Sequence, residues 1–95
     1  MAVTFVLPAA LRPLADGRDR VRVDERAPTV REALRALWQR HPALRDRVWT
    51  ERDEMRPHVN VFVGDESIRD LGGLDTPVPD GAQIAIIAAV SGGRI

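Results

Sequence analysis

Two consecutive glycines near the C-terminus are the residues best suited to chemistry in this sequence. Ser91-Gly92-Gly93 follows an apolar stretch closely, and Arg94 and Ile95 come after it. Because glycine has no Cβ, such a pair can enter a narrow tunnel in a partner protein and leaves the acyl carbon of Gly93 open to attack. Taken alone, the dipeptide favours the plainer interpretation of a frayed chain end. Its meaning therefore depends on the fold that precedes it.

The side chains that commonly form catalytic or metal sites are few and scattered. The chain has no cysteine, and its two histidines, His41 and His58, would need carboxylates from distant segments to bind zinc. The acidic group Glu51, Asp53 and Glu54 is interrupted by an arginine, which is more typical of a solvated loop than of a general acid–base pair. We therefore predict neither a catalytic residue nor a metal site in this chain.

The overall composition indicates one small globular domain. A chain of 95 residues has no room for a second core, and its 14 acidic residues balance 14 basic ones. This balance gives no reason to expect nucleic-acid or membrane binding, and the longest apolar run, 84–90, is too short to span a bilayer. All 14 basic residues are arginine, so no side-chain amine can accept an isopeptide bond. Without cysteine or a signal-peptide pattern, the sequence predicts a cytoplasmic location.

Alternation of apolar and polar residues predicts two strands at the start of the chain. Residues 3–7 alternate with a period of two, and residues 20–23 alternate arginine with valine. Asp16-Gly17 supplies a turn between them, which favours an antiparallel pair. Leu11 and Leu14 are expected to hold the connection against the core.

The clearest predicted element is a helix that begins after Thr29 and ends at Pro42. Thr29 is a favourable N-cap, and Glu32 stands at capping-box spacing. Apolar residues from Val30 to Trp38 recur at the spacing of one helix face, so Trp38 is expected in the core.

A charged, irregular segment follows the helix at residues 43–57. We expect it to contain a short helical turn, with Leu44, Val48 and Trp49 as its apolar anchors. Trp49 could belong to the core or contact a partner, and the sequence does not separate these two roles.

Three further strands are expected in the second half of the chain. Residues 58–63 form the third, residues 66–69 a short fourth, and residues 83–89 a nearly continuous apolar strand buried on both faces. The last strand should lie centrally, parallel to the first, and a single helix should leave one sheet face open. This arrangement is an α+β, β-grasp (ubiquitin-like) fold, a mixed sheet packed on one main helix. The domain is expected at 1–90, with a flexible C-terminal tail at 91–95.

A series of short motifs extends over nearly the whole chain. In order they are Leu11-Arg12-Pro13 with Gly17, the helix from Thr29, residues 58–63, Asp65-Glu66 with Ile68-Arg69, Gly72-Gly73-Leu74, Pro79-Asp80-Gly81 and residues 88–93. None is diagnostic alone. Their order and spacing together resemble the MoaD/ThiS family of ubiquitin-like sulfur carriers, most closely its CysO-type branch, which serves cysteine biosynthesis.

The resemblance implies that the chain is a protein cosubstrate and not an enzyme. In this family an adenylyltransferase of the ubiquitin-activating type uses ATP to adenylate the terminal carboxylate, here that of Gly93, and sulfur then displaces AMP to give a thiocarboxylate. Ser91 and Gly92 would thread the partner's tunnel. In the CysO-type branch the sulfur attacks an aminoacrylate on a pyridoxal-phosphate enzyme related to cysteine synthase, and a JAMM-type zinc metalloprotease hydrolyses the resulting adduct. No cofactor is expected on the carrier itself.

Arg94 and Ile95 depart from the family pattern, in which active members end in Gly-Gly. Activation at Ile95 would place a β-branched residue where glycine is expected. We therefore predict that a JAMM-type protease first cuts between Gly93 and Arg94. A permanently blocked tail is the alternative.

Two other functions remain open at this point. The chain could be a ubiquitin-like modifier that is conjugated through Gly93 to lysines of other proteins, or an interaction domain with an inert tail. The expected partner surface is the open sheet face, where Phe62 is out of phase with its valine neighbours; Phe62 could equally cover a second core under residues 43–57. We expect a monomer. The sulfur acceptor could be cysteine, molybdopterin, thiamine or a specialised metabolite.

Overall fold

Five strands form one mixed sheet in the computed structural model, which describes residues 2–88. In chain order they are β1 (Val3–Val6), β2 (Arg20–Val23), β3 (Val59–Val63), β4 (Glu66–Ser67) and β5 (Gln83–Ala88). Their order across the sheet is β2-β1-β5-β3-β4. Strand β5 pairs parallel with β1 and antiparallel with β3, so the most apolar strand is central, as predicted. The predicted β-grasp fold is confirmed.

One long helix, α1 (Val30–Arg40), covers a single face of the sheet. Its N-cap forms as predicted, because the hydroxyl oxygen of Thr29 accepts the N–H of Glu32 (3.4 Å). The Glu32 carboxylate in turn accepts the Thr29 hydroxyl (3.1 Å), whereas a standard capping box would use the backbone N–H of the cap. Within residues 2–88, no helix is long and apolar enough to cross a membrane.

The shorter helical elements close the ends of the core. A second α-helix, α2, spans Arg45–Val48. The 3-10 helices are Ala9–Ala15, Pro42–Leu44, Ile68–Asp70 and Gly73–Asp75. The helical turn predicted within 43–57 is therefore present, and Leu44 and Val48 are both buried.

Two tryptophans meet inside the core and settle the role of Trp49. The rings of Trp38 and Trp49 lie edge to face with their centroids 5.5 Å apart. Only 1% of Trp49 is exposed, so it is a core residue and not a partner contact. Neither indole N–H has a hydrogen-bond partner within the described part of the chain.

Two sequence expectations about the strands are wrong. Strand β5 is buried on one face only: Ile84 and Ile86 face α1, while Ile87 is 48% exposed, because no second helix covers the other face. Strand β4 ends at Ser67 instead of continuing to Arg69. The hydroxyl oxygen of Ser67 accepts the N–H of Arg69 (3.2 Å), and this bond caps the 3-10 helix Ile68–Asp70 that replaces the strand.

The loop before β5 is tied to the start of α1 through Thr76, which is 4% exposed. Its hydroxyl accepts the N–H of Gly72 (3.0 Å) and donates to the carbonyl of Gly73 (2.7 Å). Its own carbonyl accepts the N–H of Val30 (3.0 Å), one of the donors that a helix N-terminus leaves without an internal partner.

Replacing Thr76 with valine should destabilise the domain by about 1 kcal/mol, because the N–H of Gly72 and the carbonyl of Gly73 would both lose the buried hydroxyl that pairs with them. Denaturant unfolding followed by tryptophan fluorescence would measure the change. Thr4→Val is a matched control, since Thr4 lies on the sheet face that α1 leaves uncovered and its hydroxyl makes no hydrogen bond within residues 2–88. Equal stability of the two variants would contradict the assigned role of Thr76.

Candidate functional site

The predicted chemical residues Ser91, Gly92, Gly93 and Arg94 lie outside the described residues, as does the tail at 91–95. The structure does place the point from which the chain continues toward them. Ala88, the last residue of β5, pairs with Val59, the first residue of β3. The described chain therefore ends at the edge of the sheet where β3 begins, three residues before Ser91.

Arg69 braces the start of β3 at this end of the sheet. Its Nη2 donates to the carbonyls of Pro57 (3.1 Å) and Val59 (2.6 Å). Hydrogen bonds from a charged donor are stronger than neutral ones, so the backbone opposite Ala88 is held firmly. Nothing in the sequence marked Arg69 for this role, because its partners lie about ten residues away and across a turn.

The sheet face that α1 leaves uncovered is called here the open face. Side chains alternate along each strand, so this face carries the residues out of phase with the core. They are Thr4, Val6, Arg20, Arg22, Asn60, Phe62, Gln83, Ala85 and Ile87. The register aligns Val6, Ala85 and Phe62 in one row across three strands, with the exposed Ile87 beside it. The open face thus has an apolar centre.

Phe62 lies on the open face, half-buried and separate from the core cluster. The second core that it could have covered does not form under residues 43–57, because Leu44, Val48 and Trp49 join the main core on the α1 side. Phe62 lines an open cleft of about 520 Å³, together with Asp65, Glu66 and Asp70 among other residues. Binding of a partner at Phe62 remains a prediction.

Two polar side chains stiffen the wall of the Phe62 cleft. Asn60 Nδ2 donates to the Ser67 hydroxyl (2.9 Å), and Asn60 Oδ1 accepts the N–H of Val61 (2.8 Å). The first bond joins β3 to β4 on the open face, and the second lies within β3 and holds the Asn60 amide in place. The cleft therefore has fixed walls beside an aromatic ring, an arrangement suited to protein contact.

A second cleft of about 390 Å³ lies between the edge of β2 and the C-terminal end of α1. Its lining residues are Asp16, Arg18, Val21, Arg22, Arg40 and His41. The sequence did not predict this cleft, because residues 16–22 and 40–41 meet only through the fold. The alternation of arginine and valine in β2 was the one available signal.

The side chains judged unsuited to catalysis are dispersed in the structure. His41 ends α1, and its N–H donates to the carbonyl of Leu37 (2.9 Å), while His58 is exposed. Asp53 pairs with the guanidinium of Arg45 and raises the pKa of that arginine. No group of three or more histidine, aspartate or glutamate residues that could hold a metal occurs within residues 2–88.

Comparison with known proteins places this geometry among characterised relatives. A model of the ThiS family matches residues 5–93. Sulfur carrier protein CysO of Mycobacterium tuberculosis is 32% identical over 95 residues, covering 98% of this chain and 100% of the relative. The resemblance inferred from the motifs is thereby confirmed.

Solved structures give the same result. A chain of the BexX/CysO complex of Amycolatopsis orientalis superposes with a TM-score of 0.86 at 34% identity, covering 96% of this chain and 99% of that chain. Small archaeal modifier protein 1 of Haloferax volcanii gives a TM-score of 0.81 at 33% identity, covering 94% and 98%. Relatives named as sulfur carriers and relatives named as modifiers therefore share this fold.

Proposed function

The chain belongs to the ThiS family, and on that premise we propose that it is a sulfur carrier whose Gly93 carboxylate is adenylated and then converted to a thiocarboxylate. The observation that carries this proposal is that the family match ends at Gly93, leaving Arg94 and Ile95 outside it. The matched range therefore includes the β-grasp domain and extends through Gly92-Gly93 of this chain.

Arg94 must be removed before this chemistry can begin, since Gly93 is otherwise held in a peptide bond. We assign the cut between Gly93 and Arg94 to a JAMM-type metalloprotease. A trypsin-like enzyme would cut after Arg94 and leave Gly-Gly-Arg, which still lacks a free Gly93 carboxylate.

The remaining steps belong to partner enzymes and not to this chain. An adenylyltransferase of the ubiquitin-activating type would supply the activated carboxyl from ATP, and the carrier itself would bind no cofactor. The sulfur would pass to a pyridoxal-phosphate enzyme related to cysteine synthase, or to another sulfur-accepting enzyme. The complex of BexX with CysO, a relative of this chain, supports the general expectation of a partner protein. All of these steps are proposed to occur in the cytoplasm.

The open face is the proposed docking surface for the adenylyltransferase, with Phe62 as its central contact. Replacing Phe62 with alanine should raise the KM for the carrier about tenfold and leave kcat unchanged, because a docking contact is made equally in the ground and transition states. Carrier-dependent exchange of pyrophosphate into ATP measures both constants on the form ending at Gly93. An unchanged KM would contradict docking at Phe62.

A ubiquitin-like modifier is the second candidate, favoured by the relatives named as small archaeal modifier proteins. It would use the same activated Gly93 but would transfer it to lysines of other proteins. This chain has no lysine, so its own side chains could not extend such conjugates into a polymer. Each modified lysine of a target would therefore carry one copy of this chain.

The intact mass of the protein purified from its own organism, grown with a sulfur source, tests the proposed function. We expect loss of the mass of Arg94 plus Ile95, together with a fraction heavier by the difference between sulfur and oxygen. A set of larger covalent adducts without that fraction would favour the modifier. A full-length mass under all conditions would contradict processing.

A further inference from the structure

Strand β2 forms one edge of the sheet, and its outward backbone groups can be identified from hydrogen bonds. Thr4 is paired with Arg22, but its N–H donates to Ala82, just before β5 (3.1 Å). Thr4 and Arg22 therefore do not exchange ladder hydrogen bonds. Bonded and non-bonded pairs alternate in an antiparallel ladder, so Arg20 is also a non-bonded position.

The other end of the β1–β2 ladder shows the same alternation of bonded and non-bonded pairs. Leu7, the residue after β1, donates its N–H to the carbonyl of Asp19 (2.8 Å), which makes this a bonded pair beside the non-bonded pair of Val6 and Arg20. Arg20 and Arg22 thus direct their N–H and C=O groups away from the sheet. Within residues 2–88 no other strand pairs with this edge. Such an edge can pair with a further strand.

The charges along the edge are mixed, since Asp16, Asp19, Asp24 and Glu25 stand among the arginines. The two β2 side chains on the open face, however, are both arginine. The guanidinium groups of Arg20 and Arg22 stand on the open face, and the cleft at the end of α1 adds Arg18 and Arg40. Arg18 has no carboxylate partner within the described residues, and Arg20 reaches only the neutral amide of Gln83 (3.4 Å).

Two of the edge arginines have carboxylate partners that are exposed to solvent. Arg22 pairs with Asp24 (2.8 Å), and Arg40 pairs with Glu25 (3.0 Å) and lowers the pKa of that carboxyl. Exposed ion pairs contribute little, so carboxylates of an incoming strand could replace these partners at small cost.

We propose that the β2 edge binds an extended acidic segment of another protein, which adds to the sheet as a sixth strand. Its carboxylates would alternate along the segment beside Arg20 and Arg22, and an apolar residue between them would lie over the buried Val21 that lines the cleft. A second copy of this chain does not fit, because pairing two β2 strands would set arginine against arginine. Strands β1 and β5 separate this edge from Phe62 in β3.

A synthetic hexapeptide that alternates glutamate and valine is the probe for this surface. Bound peptide should slow hydrogen exchange of the backbone amides of Arg20 and Arg22 at least about tenfold, since both point to solvent in the free chain. Two further peptides carry N-methyl groups on one or the other alternate set of residues. Only one of them should bind, because a single set of peptide N–H groups faces β2.

Charge variants and a reversed peptide complete the test. Substituting R20Q and R22Q together should weaken binding about tenfold, whereas R35Q with R47Q, the same charge loss at exposed positions elsewhere, should not. A peptide alternating arginine and valine should not bind. Equal binding of both N-methylated peptides would overturn strand addition. Peptide binding that leaves hydrogen exchange at the Arg20 and Arg22 amides unchanged would also overturn it. Protection that appears with rising protein concentration alone would instead establish a second copy as the occupant.

Discussion

A chain ending at Gly93 is expected to support carrier-dependent exchange of pyrophosphate into ATP on the order of 100-fold faster than the chain ending at Ile95. The reaction requires a carboxylate aligned with the α-phosphate of ATP. Two extra residues would either push that carboxylate past the phosphate or force the tail to buckle. The β-branched Ile95 would also crowd the attacking oxygen. The adenylyltransferase of the same organism is the enzyme for this assay.

Two further truncations separate tail length from the nature of the last residue. A chain ending at Arg94 should be as inactive as the full chain, since it is still too long. A chain ending at Gly92 should also be poor, because its carboxylate falls one residue short. Equal exchange by the Gly93 and Ile95 forms would contradict the need for processing, while inactivity of every form would count against the sulfur-carrier proposal itself.

Replacement by alanine should destabilise the domain far more at Phe5 than at Phe62, the other phenylalanine of the chain. Phe5 lies in β1 with no exposed surface, packed in the core between the sheet and α1. Phe5→Ala should destabilise the domain by about 3–5 kcal/mol, because it loses buried apolar area and leaves a cavity. Small domains have total stabilities of about 5–15 kcal/mol, so this variant should be close to unfolding at physiological temperature.

Phe62→Ala is the matched control, since it removes the same side chain from the open face. We expect it to cost about 1 kcal/mol or less. Urea unfolding followed by tryptophan fluorescence measures both variants. A comparable loss in the two would contradict the assignment of Phe62 to a surface outside the core.

Local sequence patterns predicted most of the individual elements. The alternation of residues 20–23 gave the bounds of β2, and the cap at Thr29 gave the start of α1. In each case the determining contacts lie within a few residues of one another. The apolar content of residues 83–89 also predicted the central place of β5. A strand with a neighbour on each side has little contact with water, so it favours apolar residues.

The errors arose where burial depends on how many layers cover the sheet. Ile87 looks as apolar as Ile86 in sequence, but α1 covers only one face, and Ile87 is left exposed. The β2 cleft likewise brings Arg18 beside Arg40 through the packing of β2 against α1. Arg18 and Arg40 are far apart in the sequence, so no local pattern predicts that they meet. The bracing of β3 by Arg69 escaped prediction for the same reason.

The pair formed by Trp38 and Trp49 gives this protein an optical signal that belongs to the core alone. The chain has no tyrosine, so these two residues are its only strong near-ultraviolet fluorophores. Both are shielded from water, and their edge-to-face contact couples their transitions. Cutting or acylating the tail at Gly93 should leave emission unchanged, whereas loosening of the core should shift it to longer wavelength. A tryptophan emission spectrum can therefore show that a tail variant is folded before its chemistry is assayed.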